Sequence, residues 1–255
     1  MKINLYALRA IYLHEMDRFR RTLTQSVLSP VLTTSLYFIV FGSVIGGYVE
    51  KIDGISYGSY IVPGLLMLTL LTQSISNTSF GIFFPKFNGT IYEILAAPIS
   101  TLEVVLAFVG AGATKTLIVS IIIFITSLFF VDVQVKYPLL MIFLLILVAF
   151  TFALFGFLIG LISSDFEQMS IIPTLFVTPM VFLGGSFYSL DMLPSFWQTV
   201  TYFNPVVYLI NGLRFSFYGV SDFNIWISIG TMFLFLSICI TVVTVLLKKG
   251  YKIKS

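Results

Sequence analysis

Charged side chains are scarce in this chain. They make up 10% of its 255 residues, where a soluble domain carries about 25%. No soluble domain fits in the stretches left between the apolar runs. A single cysteine, Cys239, excludes an internal disulfide, and its place in the last apolar run gives it a packing role. A single histidine, His14, leaves almost no material for histidine-based metal sites or His-dependent catalytic triads. There is no G-x-x-x-x-G-K-[ST] loop and no Gly-Lys pair at all, so the usual cradle for nucleotide phosphates is missing. No apolar core follows the basic residues within the first twenty positions, which argues against a cleaved signal at the start of this sequence.

What is abundant is apolar: 58% of the residues are hydrophobic, and the mean hydropathy is +1.03. Several uncharged runs exceed the ~20 residues an α-helix needs to cross a bilayer. The fold class expected is all-α, a polytopic membrane protein. Spans are expected over 26–48, 58–83, 101–131, 138–162, 169–185 and 223–247. Gly42 with Gly46, and Gly156 with Gly160, have the spacing that lets helix backbones approach closely. Before the first span, residues 2–23 place Leu5, Leu8, Tyr12, Met16, Phe19 and Leu23 at steps of three and four. Arg9, His14, Asp17, Arg18, Arg20 and Arg21 fall mostly elsewhere. This pattern predicts an interfacial amphipathic helix with its basic side toward anionic headgroups; an ordinary solvated helix is the alternative.

Segment 186–222 is harder to place. It is uncharged between Asp191 and Arg214, yet Pro194, Trp197, Gln198, Asn204, Pro205 and Asn211 make a poor lipid-facing helix. Charge decides the count. The first 21 residues hold five of the fourteen Lys and Arg, and the last eight hold four. Both ends are then expected in the cytoplasm, which requires an even number of spans. Six spans result, with 186–222 as an extracellular hairpin, re-entrant or on the surface, covered by other helices or a partner copy. The polar islands at 86–100 and 163–168 then face the cytoplasm.

The first island reads KFNGTIYEILAAPIS. Thr90 and Glu93 have capping-box spacing, so a short helix is expected from Ile91. Pro98 cannot continue it, and Ser100 with Glu103 repeats the spacing before the next span. A compact helix at the foot of a span can pass force into the membrane, with Ile91, Ile94 and Leu95 as contact side and Glu93 as cap; a plain connecting loop is the alternative. The second island contributes Asp165 and Glu167. Inside span two, Thr69, Thr72, Gln73, Ser76 and Phe80 form a stripe at helical spacing. They serve either interhelical hydrogen bonding or the wall of a translocation cavity. Lys115 lies roughly 20 Å along its helix from Ser100, too deep to snorkel easily. It is a functional-site candidate. It meets an anionic group of a substrate, or it pairs with a carboxylate or backbone carbonyls of a neighbouring helix.

Several stretches carry a family resemblance. They are Tyr60-Ile61-Val62-Pro63-Gly64, then Gly89-Thr90-Ile91-Tyr92-Glu93-Ile94-Leu95-Ala96-Ala97-Pro98-Ile99, then Ile172-Pro173-Thr174 through Gly184-Gly185-Ser186-Phe187-Tyr188. Leu193-Pro194, Trp197, Asn204-Pro205 and Gly212-Leu213-Arg214 follow in order. Over essentially its whole length the chain resembles an ABC-2 type permease, the membrane half of a bacterial ABC exporter, in the multidrug or polysaccharide-type branch. The resemblance implies six spans, an N-terminal interfacial helix, a cytoplasmic coupling helix between spans two and three, and a re-entrant extracellular hairpin. It implies a permease homodimer in the bacterial inner membrane, with two copies of a separate cytoplasmic ATPase that bind ATP and Mg2+. This chain would bind no cofactor, no metal and no nucleic acid, and would not itself be an enzyme. The cargo implied is a drug, a lipid or a lipid-linked glycan, moved outward.

Two other classes remain open. A stand-alone secondary carrier or channel usually shows internal repeats and broken midplane helices, and no convincing repeat is present. An intramembrane enzyme needs His, Asp or Glu side chains that face one another, whereas the acidic residues here are scattered at loop edges. The 27 Phe, 13 Tyr and 2 Trp favour an apolar or amphipathic cargo.

Overall fold

The computed structural model describes residues 4–49 and 51–248. Residues 2–3 of the expected first helix, Glu50, and the terminal Lys249, Lys252 and Lys254 lie outside the described residues, as does the side chain of Leu95. The chain is almost entirely helical. Helix α1 (Leu5–Arg21) is followed by α2 (Leu23–Tyr37), which runs on through a wider π-helical stretch (Phe38–Ile45). A two-stranded hairpin (β1 Lys51–Ile52, β2 Ile55–Ser56) and a short turn of helix, α3 (Tyr57–Tyr60), lead into α4 (Val62–Phe87). Then come α5 (Ile91–Ala96), α6 (Thr101–Ser127), α7 (Pro138–Ile162), α8 (Phe166–Ile171), α9 (Thr178–Leu183), α10 (Ser195–Tyr202), α11 (Pro205–Tyr218) and α12 (Ile225–Lys248). Among the described residues six stretches are long and apolar enough to cross a membrane: Leu23–Ile45, Tyr57–Phe87, Thr101–Ser127, Pro138–Ile162, Phe166–Leu183 and Ile225–Lys248.

Several boundaries have local causes. The hairpin turns on Asp53 (φ 52°) and Gly54 (φ 79°); two left-handed residues in a two-residue loop match the twist of the strands, and Asp-Gly is a preferred pair for it. The fifth span starts at Phe166, three residues earlier than expected, because Asp165 accepts from the Gln168 N–H at 2.8 Å and caps the helix. Pro173 and Pro179 then open that span into the π-helical stretch Ile172–Val177 that joins α8 to α9.

Helix α4 is the centre of the bundle, with most of its surface covered. In lipid there is no hydrophobic force to drive helices together, so close approach of small residues has to supply the contact. A Cβ added at Gly156 of α7 would lie 2.5 Å from the Ile75 carbonyl oxygen of α4, and one at Gly160 would lie 2.4 Å from that of Ser79. On the other flank, a Cβ on Gly112 of α6 would collide with the Thr78 hydroxyl of α4. The Gly156–Gly160 pair therefore serves the α4–α7 seam. Gly42 approaches the Gly58 backbone, whereas Gly46 packs against its own π-helical turn.

Loops gather at two ends. At one, Lys86 at the foot of α4 donates to the carbonyls of Leu161 (2.7 Å) and Ser163 (2.9 Å), which satisfies the end of α7. At the other, the Lys136 and Tyr137 N–H groups donate to the Phe217 and Ser216 carbonyls, both at 2.8 Å. Segment 186–222 starts and finishes at this second end: Tyr57 donates to the Phe187 carbonyl (3.0 Å), and Asn211 bonds Asp222 (3.2 Å). Within it α11 is buried, whereas Phe196, Trp197 and Phe203 around α10 are exposed.

Replacing Gly160 by Leu should lower stability in detergent by about 1–3 kcal/mol, the usual cost of overpacking a close contact. Leu at Gly230, which has open space around its α-carbon, should change stability by under about 0.5 kcal/mol. Thermal unfolding of the two variants checks this contrast.

Candidate functional site

The end of the bundle that carries Ser100 holds the most specific chemistry. Ser100 and Glu103 close the capping box their spacing requires: Glu103 Oε2 accepts from the Ser100 N–H at 2.6 Å, and the Ser100 hydroxyl accepts from the Glu103 N–H at 3.4 Å. The other Glu103 oxygen accepts from the Asn4 N–H at 2.5 Å. One carboxylate thus joins the start of α1 to the start of α6.

The contact continues along α6. Tyr12 donates to Thr114 at 3.1 Å, and Lys115 donates to Glu15 at 2.7 Å. Lys115 and Glu15 are each only 2% exposed. Arg18 reaches the same Glu15 oxygen at 2.7 Å, remains partly exposed, and lies 5.1 Å over the Phe80 ring of α4. The Glu15 carboxylate faces Gly81 of α4, where a Cβ would lie 3.3 Å from it. Lys115 is therefore sealed between helices and paired with a carboxylate, which takes it out of the open surface of α4. The pairing alternative holds, because an unpaired ammonium at that depth would be expensive. Glu15 itself carried a readable signal. It is a carboxylate on the apolar side of α1, between Tyr12 and Phe19 at helical spacing, and a span held an equally stranded lysine. The packed face of α1 accordingly includes Glu15, while Leu5 and Leu23 are exposed.

The first polar island folds differently from its pattern. Helix α5 forms over Ile91–Ala96, and Ala97 is extended before Pro98. Thr90 does not cap it. Its backbone is already helical (φ −66°, ψ −13°) and its side chain makes no cap bond. The Asn88 carboxamide oxygen instead accepts from both the Thr90 N–H (3.1 Å) and the Thr90 hydroxyl (2.7 Å), and Gly89 takes the positive φ of 83° that the bend needs. Ile91 is 5% exposed and belongs to the core, and Ile94 packs against that core. The exposed side of α5 is Tyr92, Glu93 and Ala96 rather than Ile91 and Ile94.

Asp165 and Glu167 are exposed at the same end. Beside them Phe166 packs against Phe83 (4.9 Å) and Phe87 (5.0 Å) of α4, tying the second island to the foot of α4. The stripe on α4 divides. Thr69 is buried and Thr72 turns back to the Leu68 carbonyl at 2.7 Å. Gln73, half-buried, accepts from Asn77 at 3.3 Å. Ser76 and Phe80 are exposed on the one side of α4 that its neighbours leave open.

A second cluster sits at the opposite end and was not foreseen. Arg214, 2% exposed, donates to the Gly185 carbonyl at 2.5 Å, stacks 4.0 Å over Tyr60 and lies 3.9 Å from Asp222. Tyr218 donates to the Ser59 carbonyl at 2.7 Å and Tyr60 to that of Tyr188 at 3.2 Å. Burial pushes the Asp222 carboxyl above its ordinary range, with Arg214 and Asn211 opposing. Burial also raises the Tyr188 and Tyr218 phenols, the latter against the pull of Arg214. These groups latch segment 186–222 to α3, the turn that leads into α4.

A family model described as ABC-2 type transporter matches residues 6–218. The chain is 37% identical over 249 residues to the inner membrane transport permease YadH of Escherichia coli strain K12, covering 98% of this chain and 97% of that relative. It is 22% identical over 246 residues to nodulation protein J of Rhizobium leguminosarum bv. viciae, covering 94% of this chain and 93% of that relative.

Glu15→Gln should destabilise the chain by about 3–5 kcal/mol, because it leaves Lys115 buried without a carboxylate, and Lys115→Met should cost less, because Arg18 still meets the Glu15 carboxylate. The double variant should recover most of the Glu15→Gln loss. A double-mutant cycle on thermal stability in detergent checks the coupling; strictly additive losses would disprove it.

Proposed function

Because the chain belongs to the ABC-2 type transporter family, as the membrane subunit of an ABC transporter that works with an ABC ATPase in the inner membrane, we propose that it exports an amphipathic molecule using ATP hydrolysed by that separate subunit. Two copies form a homodimer, two ATPase copies dock beneath it, and ATP and Mg2+ bind in the ATPase. Both termini and both polar islands face the cytoplasm, α1 runs beside the cytoplasmic half of α6 with Arg9, Arg20 and Arg21 turned outward toward anionic headgroups, and segment 186–222 is the extracellular re-entrant hairpin. The cargo class is a drug, a lipid or a lipid-linked glycan.

The observation that carries this proposal is the placement of α5. It stands at the foot of α4, exposes Tyr92, Glu93 and Ala96, and is joined through Pro98 to a doubly capped α6. Asp165 and Glu167 flank it at the same end. A push on that exposed side moves the first turn of α6, and the Glu103 and Glu15 contacts oblige α1 to follow. The open side of α4, with Gln73, Ser76 and Phe80, is where the second copy meets the first and where the path runs; Thr69 and Thr72 support it from behind. Relative motion of the two copies then changes access to that path. The chain's own role is to bind, orient and admit the cargo, with no bond made or broken on it.

Ala96→Trp should leave membrane insertion and dimerisation intact while cargo-stimulated ATP hydrolysis in the co-purified complex falls about tenfold, the effect of roughly 1.4 kcal/mol lost at a docking contact. Unchanged stimulation and transport in that variant would remove α5 from the ATPase contact.

A further inference from the structure

A cleft of about 700 Å3 opens between α6, α7 and α12. Leu106 and Val109 of α6, Phe150 and Leu154 of α7, and Ile240 and Val243 of α12 line it. Its mouth, at the Ser100 end of the bundle, is formed by Ser100, Thr101 and Lys248. The volume falls in the range of about 300–1,000 Å3 typical of ligand pockets. Along α12 the lining runs from Leu236 to Lys248, roughly 18 Å at 1.5 Å per residue. One leaflet of the hydrocarbon core is about 15 Å deep, so the cleft has the length of a single acyl chain.

Charge says which lipid fits. Lys248 makes no ion pair with a carboxylate among the described residues. In the sequence Lys249, Lys252 and Lys254 follow it, and no Asp or Glu occurs after Asp222. The nearby acid, Glu103, is buried and held by the Asn4 and Ser100 N–H groups, so its charge does not project into the mouth. The mouth therefore sets the Lys248 ammonium over an apolar slot.

We propose that this cleft is a binding site for an anionic phospholipid, with one acyl chain in the slot between α6, α7 and α12 and the phosphate against Lys248. The site requires only that the chain cross a bilayer, so it stands apart from the coupling proposed for α5. An anionic lipid seated there bridges three helices whose common contact is otherwise apolar, and makes their packing depend on the charge of the surrounding leaflet.

The test uses the full-length permease, delipidated in detergent and offered equal amounts of dioleoylphosphatidylglycerol and dioleoylphosphatidylcholine, with bound lipid counted by native mass spectrometry. The wild type should retain the anionic lipid preferentially. Lys248→Gln should reduce that preference about fivefold, the factor a single lysine contributes beside an anionic headgroup, and Lys248→Arg should restore it. Ile240→Trp, which fills the slot from a half-exposed position, should weaken both lipids alike. Circular dichroism and gel filtration establish that each variant is folded. Equal retention of the two lipids by the wild type, or an unchanged preference in Lys248→Gln, would overturn the proposal. So would crosslinking of two copies through a cysteine at position 240, which would make a second chain the occupant.

Discussion

A carboxylate and an ammonium meet at 2.7 Å between α1 and α6, both almost wholly buried. Each would be expensive alone at that depth, so the pair fixes where α1 can lie. The Asn4–Glu103 and Tyr12–Thr114 bonds fall into register with it, and α1 runs beside the first half of α6 rather than moving independently of it. Arg18 adds a second cation to the same carboxylate and carries the contact to Phe80 of α4. The three helices at the Ser100 end are thereby tied by charge, where the rest of the bundle is tied by shape.

Shape governs α4. Gly112, Gly156 and Gly160 let two neighbours approach it almost backbone to backbone, and Gly64 allows the Ser186 backbone to do the same at the other end. Such contacts tolerate little sliding, since every added atom meets a backbone group. The helix is thus held tightly all the way from its foot near α5 to the Arg214–Tyr60 latch at the other end. Only the side with Ser76 and Phe80 is uncovered, and it is the side proposed above for the second copy.

Two identical sequence patterns ended differently, and the reason is instructive. Thr90 with Glu93 and Ser100 with Glu103 share one spacing. Ser100 has the extended backbone a capping residue needs (φ −79°, ψ 150°), because Pro98 interrupts the helix before it. Thr90 follows Gly89 in a bend already capped by Asn88, so its backbone had turned helical before it could cap. Asp165 lies in a polar island, and an Asp three residues before Gln168 ahead of an apolar run is a legible N-cap. Asp53-Gly54 is likewise a legible hairpin signal.

Composition and charge distribution alone determined the helical membrane fold. Runs that long and uncharged have no other stable state in lipid, because every backbone group must be satisfied within its own helix. Motif order along the chain was enough to indicate the family. Which side chains meet was decided only by tertiary structure. Lys115 had two candidate partners until packing brought it to Glu15, a hundred residues away. Ile91 and Ile94 looked like a docking face until the bundle turned them inward. Helical periodicity says which residues share a face, but which way that face points depends on contacts from distant parts of the chain.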